Sequence, residues 1–360
     1  MALTITTTIP IINPVYTPLE FTISSPGADY MELDIYIGDS SKGQYEGTKR
    51  TQRINDTSRV VDIQNVIQPF FTTDASATIE LKRIDVVGRS WLNNVSTWEY
   101  DDKYYIFNGI NRNNWDPSIY IMNGEGDAKF LNEWDTDINI HWGNENTKLY
   151  FFQGTFENST GSYVANAPSF KVTRDSNTCA GYTFASSTTP IIREFNIGPT
   201  NLNNIIPDLS INENTSIYTI NPSDNSTNYG LKTINITNKS NRCEPKRLSW
   251  VDTFGCIESF NFDLIGTNTI NVSRNKFNNN GTLKTYNNKI VDNYSMTSNW
   301  ITEDAADNLK SAWHSQSTIV DGEYIIINNK SIPILRRRED RLINYIIDYE
   351  AAVEYITQIF

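Results

Sequence analysis

The clearest pattern along the chain is alternation. From Tyr30 to Ile37 (YMELDIYI), Met31, Leu33, Ile35 and Ile37 share one face of an extended segment, with Glu32 and Asp34 on the other. Successive side chains of a strand point to opposite sides, so a period of two with one apolar face predicts a half-buried strand. Arg59 to Val66 and Thr78 to Val87 supply further apolar runs, and Pro10, Pro14, Pro18 and Pro26 exclude a long helix at the start. Residues 1–90 therefore read as a β-sandwich-like domain.

Residues 91–199 are rich in aromatics, with strands expected at Lys148–Phe152 (KLYFF) and Ser169–Arg174 (SFKVTR). Core packing explains such a density first, and a sugar-stacking or partner-binding surface second. In residues 200–360, strands are expected at Ser216–Ile220 and Gly230–Thr237. Arg247–Val251 and Cys256–Leu264 flank Asp252-Thr253-Phe254-Gly255, the pattern of a hairpin. The stretch RNKFNNNGTLKTYNNK reads as a long loop or an exposed ribbon. One helix is predicted over 302–314, with Thr302 as N-cap and Glu303, Asp304 and Asp307 near its positive end. A last strand runs to Tyr349. The fold class expected is mainly β: several β-sandwich-like domains, one C-terminal helix and a small α+β element.

Composition sharpens this. The 360 residues are 38% hydrophobic and only 20% charged, but 12% aromatic, and 44 are Asn. The polarity sits in turn-forming Asn, Thr and Ser, and the aromatics argue against disorder. The net charge of −12 disfavours a general nucleic-acid surface, which needs a basic footprint. The three cysteines are far apart and show no metal-ligand spacing, so reduced thiols and folding in a cytoplasm are expected. The N-terminus carries no secretory pattern and no stretch matches a membrane span, so no membrane partner is expected.

Candidate chemistry is sparse. Asp135-x-Asp137-x-Asn139 resembles the start of a Ca²⁺ loop, since a hard cation wants several oxygens. An EF-hand then needs Gly and Glu where Ile140 and Asn146 stand, which leaves a solvated strand or a weak cation site of another kind. Asn123-x-Glu125-x-Asp127 reads first as a turn. Neither His141 nor His314 lies near a nucleophile motif, no phosphate loop occurs, and no acidic pair stands out as glycosidase carboxylates. No cofactor, no metal and no enzymatic activity are expected. Arg336-Arg337-Arg338 is the one basic cluster. It reads as a charged loop, as an inter-subunit salt-bridge strip, or, least, as a DNA-facing strip.

The segment Cys243 to Leu264 (CEPKRLSWVDTFGCIESFNFDL) resembles a motif of tail and collar ring proteins of crAss-like podoviral phages. The motif positions are Cys243, Lys246, Trp250, Asp252, Phe254, Gly255, Phe260 and Phe262. Asp252 departs from it, since Asn is frequent there. The downstream order is similar as well: Trp300 to Asp307, then Ile332-Pro333, then Leu342 to Tyr349. The resemblance covers roughly the last 120–160 residues. It implies a β-built virion protein assembled in the host cytoplasm. It also implies a homo-oligomeric ring, twelve-fold ahead of six-fold, that contacts other tail and portal-proximal proteins and no specific nucleic-acid sequence. The alternatives are a receptor-binding or head-fibre glycan module, and a polysaccharide-degrading tail enzyme. Trp250, Phe254, Phe260 and Phe262 are expected in the hairpin core, and Arg336 to Arg338 at the interface.

Overall fold

The structure, a computed structural model, describes residues 3–38, 44–52, 58–72, 74, 79–109, 115–121, 130–132, 138–141, 147–166, 169–174, 177–212, 217–224, 227–228, 232–237, 245–262, 264–298, 300–329, 335–337, 342–352 and 355–357. Its elements are mainly strands.

The first eight strands are β1 (Thr4–Thr7), β2 (Ile12–Pro14), β3 (Glu20–Ser24), β4 (Tyr30–Gly38), β5 (Gln44–Gln52), β6 (Ser58–Asp62), β7 (Leu81–Leu92) and β8 (Val95–Phe107). They form a three-stranded sheet, β1-β3-β6, and a five-stranded sheet, β2-β8-β7-β4-β5. Phe21 and Ile23 from the first sheet meet Leu33, Ile35, Ile84, Val86 and Tyr104 from the second in one core. Helix α1 (Gln64–Ile67) adds Ile67 to that core. The boundary drawn at residue 90 falls inside β7. Strands β7 and β8 are a single hairpin around Asn93-Asn94, both at positive φ (49° and 65°), and Tyr104 and Ile106 of β8 complete the core. The sheet thus extends to Phe107.

The other face of β4 differs from the expected polar surface. Glu32 and Asp34 are only 3% and 2% exposed. Trp91 Nε1 donates to Glu32 Oε2 at 2.6 Å, and Arg89 forms an ion pair with Asp34. On neighbouring β7, Arg83 pairs with Asp85 at 2.7 Å. Long side chains of adjacent strands lie across one another on this face and cover the carboxylates.

The middle of the chain contains β9 (Ile138–His141), β10 (Lys148–Asn158), β11 (Gly161–Ala165), β12 (Ser169–Arg174), β13 (Asn177–Thr183) and β14 (Ile191–Asn196). Helix α2 (Pro199–Ile205), β15 (Ile217–Asp224), β16 (Thr227–Asn228) and β17 (Lys232–Thr237) follow. One sheet is ordered β11-β10-β14. A second is ordered β13-β12-β15-β17-β9, with β9 parallel to β17 and β16 paired to β15. The boundary drawn at residue 199 falls at the start of α2, a helix opened by Pro199 at its first turn.

Strand β10 is buried on both faces. Leu149 and Phe151 enter a core with Phe170, Phe195 and Leu202, where Phe170 and Phe195 lie 4.5 Å apart. Tyr150, Phe152 and Phe156 enter a different core with Ile12, Tyr105 and Phe107. Phe107 meets Phe152 edge to face at 5.7 Å, and Tyr105 meets Phe156 at 5.1 Å. Much of the aromatic density thus resolves, among the described residues, into two ring clusters on opposite sides of one strand, while Tyr100 and Tyr104 pack in the first sandwich.

The last part contains β18 (Lys246–Val251), β19 (Ile257–Phe262), β20 (Leu264–Asn279), β21 (Thr282–Thr297), β22 (Ile301–Thr302), α3 (Glu303–Leu309), β23 (Thr318–Val320) and β24 (Glu323–Ile327). It closes with β25 (Leu335–Arg337), β26 (Leu342–Asn344), β27 (Ile346–Ala351) and β28 (Tyr355–Thr357). Seven strands run β19-β18-β23-β24-β27-β21-β20, with β28 paired to β21. A small sheet is ordered β22-β26-β25. Thr302 Oγ1 accepts from Ala305 N at 3.3 Å and caps α3, which tightens into a 3₁₀ turn over Lys310–Trp313. Ala305, Ala306, Leu309 and Ala312 face the same core as Leu149 and Phe151.

The last strand is not continuous. It breaks at fully buried Tyr345, whose N–H donates to Ser298 Oγ while Ser298 N–H donates back to Tyr345 O, both at 2.9 Å. Strands β26 and β27 therefore join different sheets.

Because β10 contributes to two cores, Phe151→Ala and Phe152→Ala are each expected to cost about 3–5 kcal/mol. Denaturant unfolding, followed by fluorescence probes placed in the first sandwich and in the last sheet, should give one shared transition for both. Two separated transitions would show that the cores are not coupled through β10.

Candidate assembly surface and the junction beneath it

The hairpin β18–β19 places its residues in register. Leu248 lies opposite Phe260, Lys246 opposite Phe262 and Trp250 opposite Glu258. Trp250, Phe260 and Phe262 are buried in the core that holds Leu149 and Phe151. Trp250 Nε1 donates to Ser311 Oγ at 2.8 Å, and Ser311 Oγ donates to Asn308 O at 2.8 Å. The indole thus ties the hairpin to the end of α3.

The connecting turn points elsewhere. Asp252 Oδ1 accepts from Phe254 N and Cys256 N, both at 2.8 Å, and Gly255 N donates to Asp252 O at 3.1 Å. One carboxylate oxygen thereby folds the turn back on itself. Gly255 sits at φ +74°, and a Cβ there would lie 1.4 Å from Asn108 O at the end of β8. Only glycine allows that approach. Phe254 enters the second core, 5.9 Å from Trp115 and 5.4 Å from Tyr120. Trp115 Nε1 donates to Ile12 O at 2.7 Å. Residues from all three parts of the chain meet at this turn.

Several residues of this junction were not singled out from the sequence. Buried Asn132 accepts from Tyr150 N through Oδ1 at 2.8 Å and donates to Glu258 Oε1 at 2.9 Å, linking β10 to β19. Asp102 accepts from Ser159 Oγ at 2.5 Å and Ser159 N at 2.9 Å, holding the β10–β11 turn against the first sandwich. Lys103 meets Glu157 at 2.7 Å beside it and holds that exposed carboxyl below its usual pKa. No local motif marks these residues, because each acts across a long sequence separation.

A cavity of about 30 Å³ lies beside the turn, between Tyr16, Asn108, Asp252, Ser311, His314 and Ser315. That is room for a few water molecules. Ser315 Oγ donates to Ser317 O at 2.8 Å, and Ser311 Oγ to Asn308 O, so both hydroxyls beside His314 are engaged with backbone.

The remaining sequence candidates are scattered. Arg336 and Arg337 stand on β25, an edge strand of the small sheet, opposite Ile343 and Leu342. Asn139 stands on β9, opposite Asn235. Cys243, Arg338, Asp135, Asp137 and the stretch Asn123 to Asp127 lie outside the described residues. The segment read as a long loop or ribbon is the hairpin β20–β21, closed by Asn280-Gly281 at φ 51° and 81°. That dipeptide is the signal that would have marked the turn.

No protein-family model and no curated protein matches the chain. Among solved structures, the chain is similar to the chaperone DraB of E. coli, at 9% identity and a TM-score of 0.22. It is also similar to the Salmonella enterica SafA pilin in complex with the SafB chaperone, at 10% identity and a TM-score of 0.21. Each match covers 64% of this chain and 95% of the other. What the chain's own elements define is a mainly β protein of several sheets with few helices.

Two outcomes follow from the turn. Asp252→Asn retains an oxygen for both backbone donors and should be close to neutral, whereas Asp252→Ala should cost about 1–3 kcal/mol. Equal losses by chemical denaturation would remove Oδ1 as the organiser of the turn.

A third outcome concerns alkaline pH. Burial pushes the Tyr104 hydroxyl up to about 12, and burial with a bond to Tyr104 raises Tyr100 as well. The unfolded chain ionises its tyrosines near pH ~10. The stability these groups contribute is therefore complete below pH ~10 and lost as pH rises toward 12. Tyr104→Phe should flatten that alkaline loss, read as unfolding free energy against pH. An unchanged slope would contradict the assignment.

Proposed function

We propose that the chain is a virion structural protein without enzymatic activity. More particularly, we read it as one subunit of an oligomeric ring in the tail or collar of a crAss-like podoviral phage, joining neighbouring tail proteins below the portal. It would be made in the host cytoplasm and carried in the particle. The observation that supports this most is the place of the hairpin. The residues that carry the resemblance, Trp250, Phe254, Gly255, Phe260 and Phe262, sit where the cores of the body meet. A body interlocked in this way suits a part that transmits load between neighbours. The edge strand β25 and the long β20 edge offer backbone groups for subunit contacts.

The two alternatives have less support. In a glycan module the rings of the middle segment would face solvent, whereas Phe151, Phe170 and Phe195 are buried and pack against one another. A polysaccharide-degrading enzyme of the usual kind needs a pair of carboxylates in its cleft, whereas the cavity beside the hairpin turn is lined by one, Asp252.

Electron microscopy of phage particles carrying an epitope-tagged copy of this chain tests the reading. The expected result is label in a ring below the portal, with twelve-fold symmetry ahead of six-fold. Label confined to fibre tips, or a purified chain that stays monomeric with no ring in particles, would overturn it.

A further inference from the structure

The hairpin β20–β21 is long for what supports it. Each strand has 16 residues, and residues 268–285 are exposed without interruption. Strand β27 pairs with β21 only at residues 293–297, and β28 only at 288–290. Beyond that point the ribbon pairs only with itself among the described strands, over about 20 Å at ~3.4 Å per residue. A lone two-stranded ribbon is marginal in water and gains stability by packing against something.

Its surface is basic and partly apolar. Between residues 264 and 291 the chain carries Arg274, Lys276, Lys284 and Lys289 and no acidic residue. Without these four, 26 basic residues face 42 acidic ones in the rest of the chain, a balance of −16. A basic arm thus extends from a strongly acidic body. Basic residues on an edge strand also serve to block unwanted pairing. Protection alone gives no reason for apolar side chains in solvent, yet Ile270 is 62% and Leu283 69% exposed. The alternation of β20 puts Ile270, Val272, Arg274 and Lys276 on one face, and the register adds Leu283 opposite Asn278. Eighteen exposed residues approach the ~20–30 that a standard interface takes from each partner.

We infer that the β20–β21 ribbon is an inter-subunit arm that docks on the acidic body of a second copy of this chain. The inference rests on the ring reading and says which element makes the contact. Arm-to-body contact is head-to-tail, so repeated copies close into a ring if the rotation allows. Nucleic acid is the other polyanion that a basic arm could meet. Non-specific single-strand binding uses successive aromatic platforms for the bases, whereas the arm face that carries Arg274 and Lys276 presents Ile270, Val272 and Leu283, and exposed Phe277 stands on the opposite face.

The test uses the full chain in three forms: unaltered, Arg274→Glu/Lys276→Glu/Lys284→Glu, and Ile270→Ser/Val272→Ser/Leu283→Ser. Sedimentation velocity and electron microscopy read assembly, and thermal melting reads folding. The unaltered chain should form closed oligomers. Both variants should melt like it and self-associate at least tenfold more weakly, and a photo-crosslinker at position 284 should capture a second copy. If the unaltered chain forms rings and the folded variants do so equally well, the arm assignment falls while the ring reading stands. If the unaltered chain never assembles, both fall. Crosslinks to added duplex DNA in place of a second copy overturn the inference in favour of a nucleic-acid contact.

Discussion

A strand that is buried on both faces has no solvent side, and its neighbours on each face must be complete before it can rest. Strand β10 imposes that condition here. Leu149 and Phe151 need the rings of β12 and β14 and the sheet that carries Trp250. Tyr150, Phe152 and Phe156 need β2, β8 and the hairpin turn at Phe254. The two sets of partners are distant in sequence, so the strand brings three stretches of chain into contact. Aromatic side chains suit the task because each buries about 150–250 Å² and can pack edge to face in either direction.

The polar residues serve the same end. Side-chain oxygens and amides of Asn and Asp close backbone groups that the irregular connections leave open. Asn203 both donates to Ile211 O and accepts from Ile211 N, at 2.7 and 2.8 Å. Asn158 Oδ1 accepts from Thr160 N at 2.9 Å in the β10–β11 turn. Asp62 Oδ1 accepts from Leu19 N and Gln64 N, both at 2.9 Å. A buried backbone donor without a partner costs free energy, so a fold of many short strands needs many such groups. The high Asn content is therefore part of the scaffold as well as of its surface.

Contacts between the parts are of two kinds. Some are close backbone approaches, as where Gly255 seats against the Asn108 carbonyl. Others are single polar bonds over long separations, such as Tyr324 OH to Asp74 Oδ1 at 2.5 Å. The first kind sets the relative placement, since a Cβ at Gly255 would collide with backbone. The second kind adds direction without much energy at exposed positions.

Much of the fold was legible from local pattern. The alternation at Tyr30–Ile37, the apolar KLYFF stretch, the hairpin around Asp252-Thr253-Phe254-Gly255 and the capped helix at Thr302 each depend on neighbours in sequence, and each forms where its pattern lies. The candidate surface was legible in part, because its ribbon is written in a run of polar residues closed by Asn280-Gly281. Three things were decided only in three dimensions. Glu32 and Asp34 look like a solvent face until Trp91 and Arg89 are brought across them. Tyr345 looks like the middle of a strand until Ser298 takes its backbone N–H and splits it between two sheets. The aromatic segment shows an apolar strand at KLYFF, but not that the two faces of β10 enter different cores. Periodicity records which side of a strand is apolar, but not what will come to cover the other side.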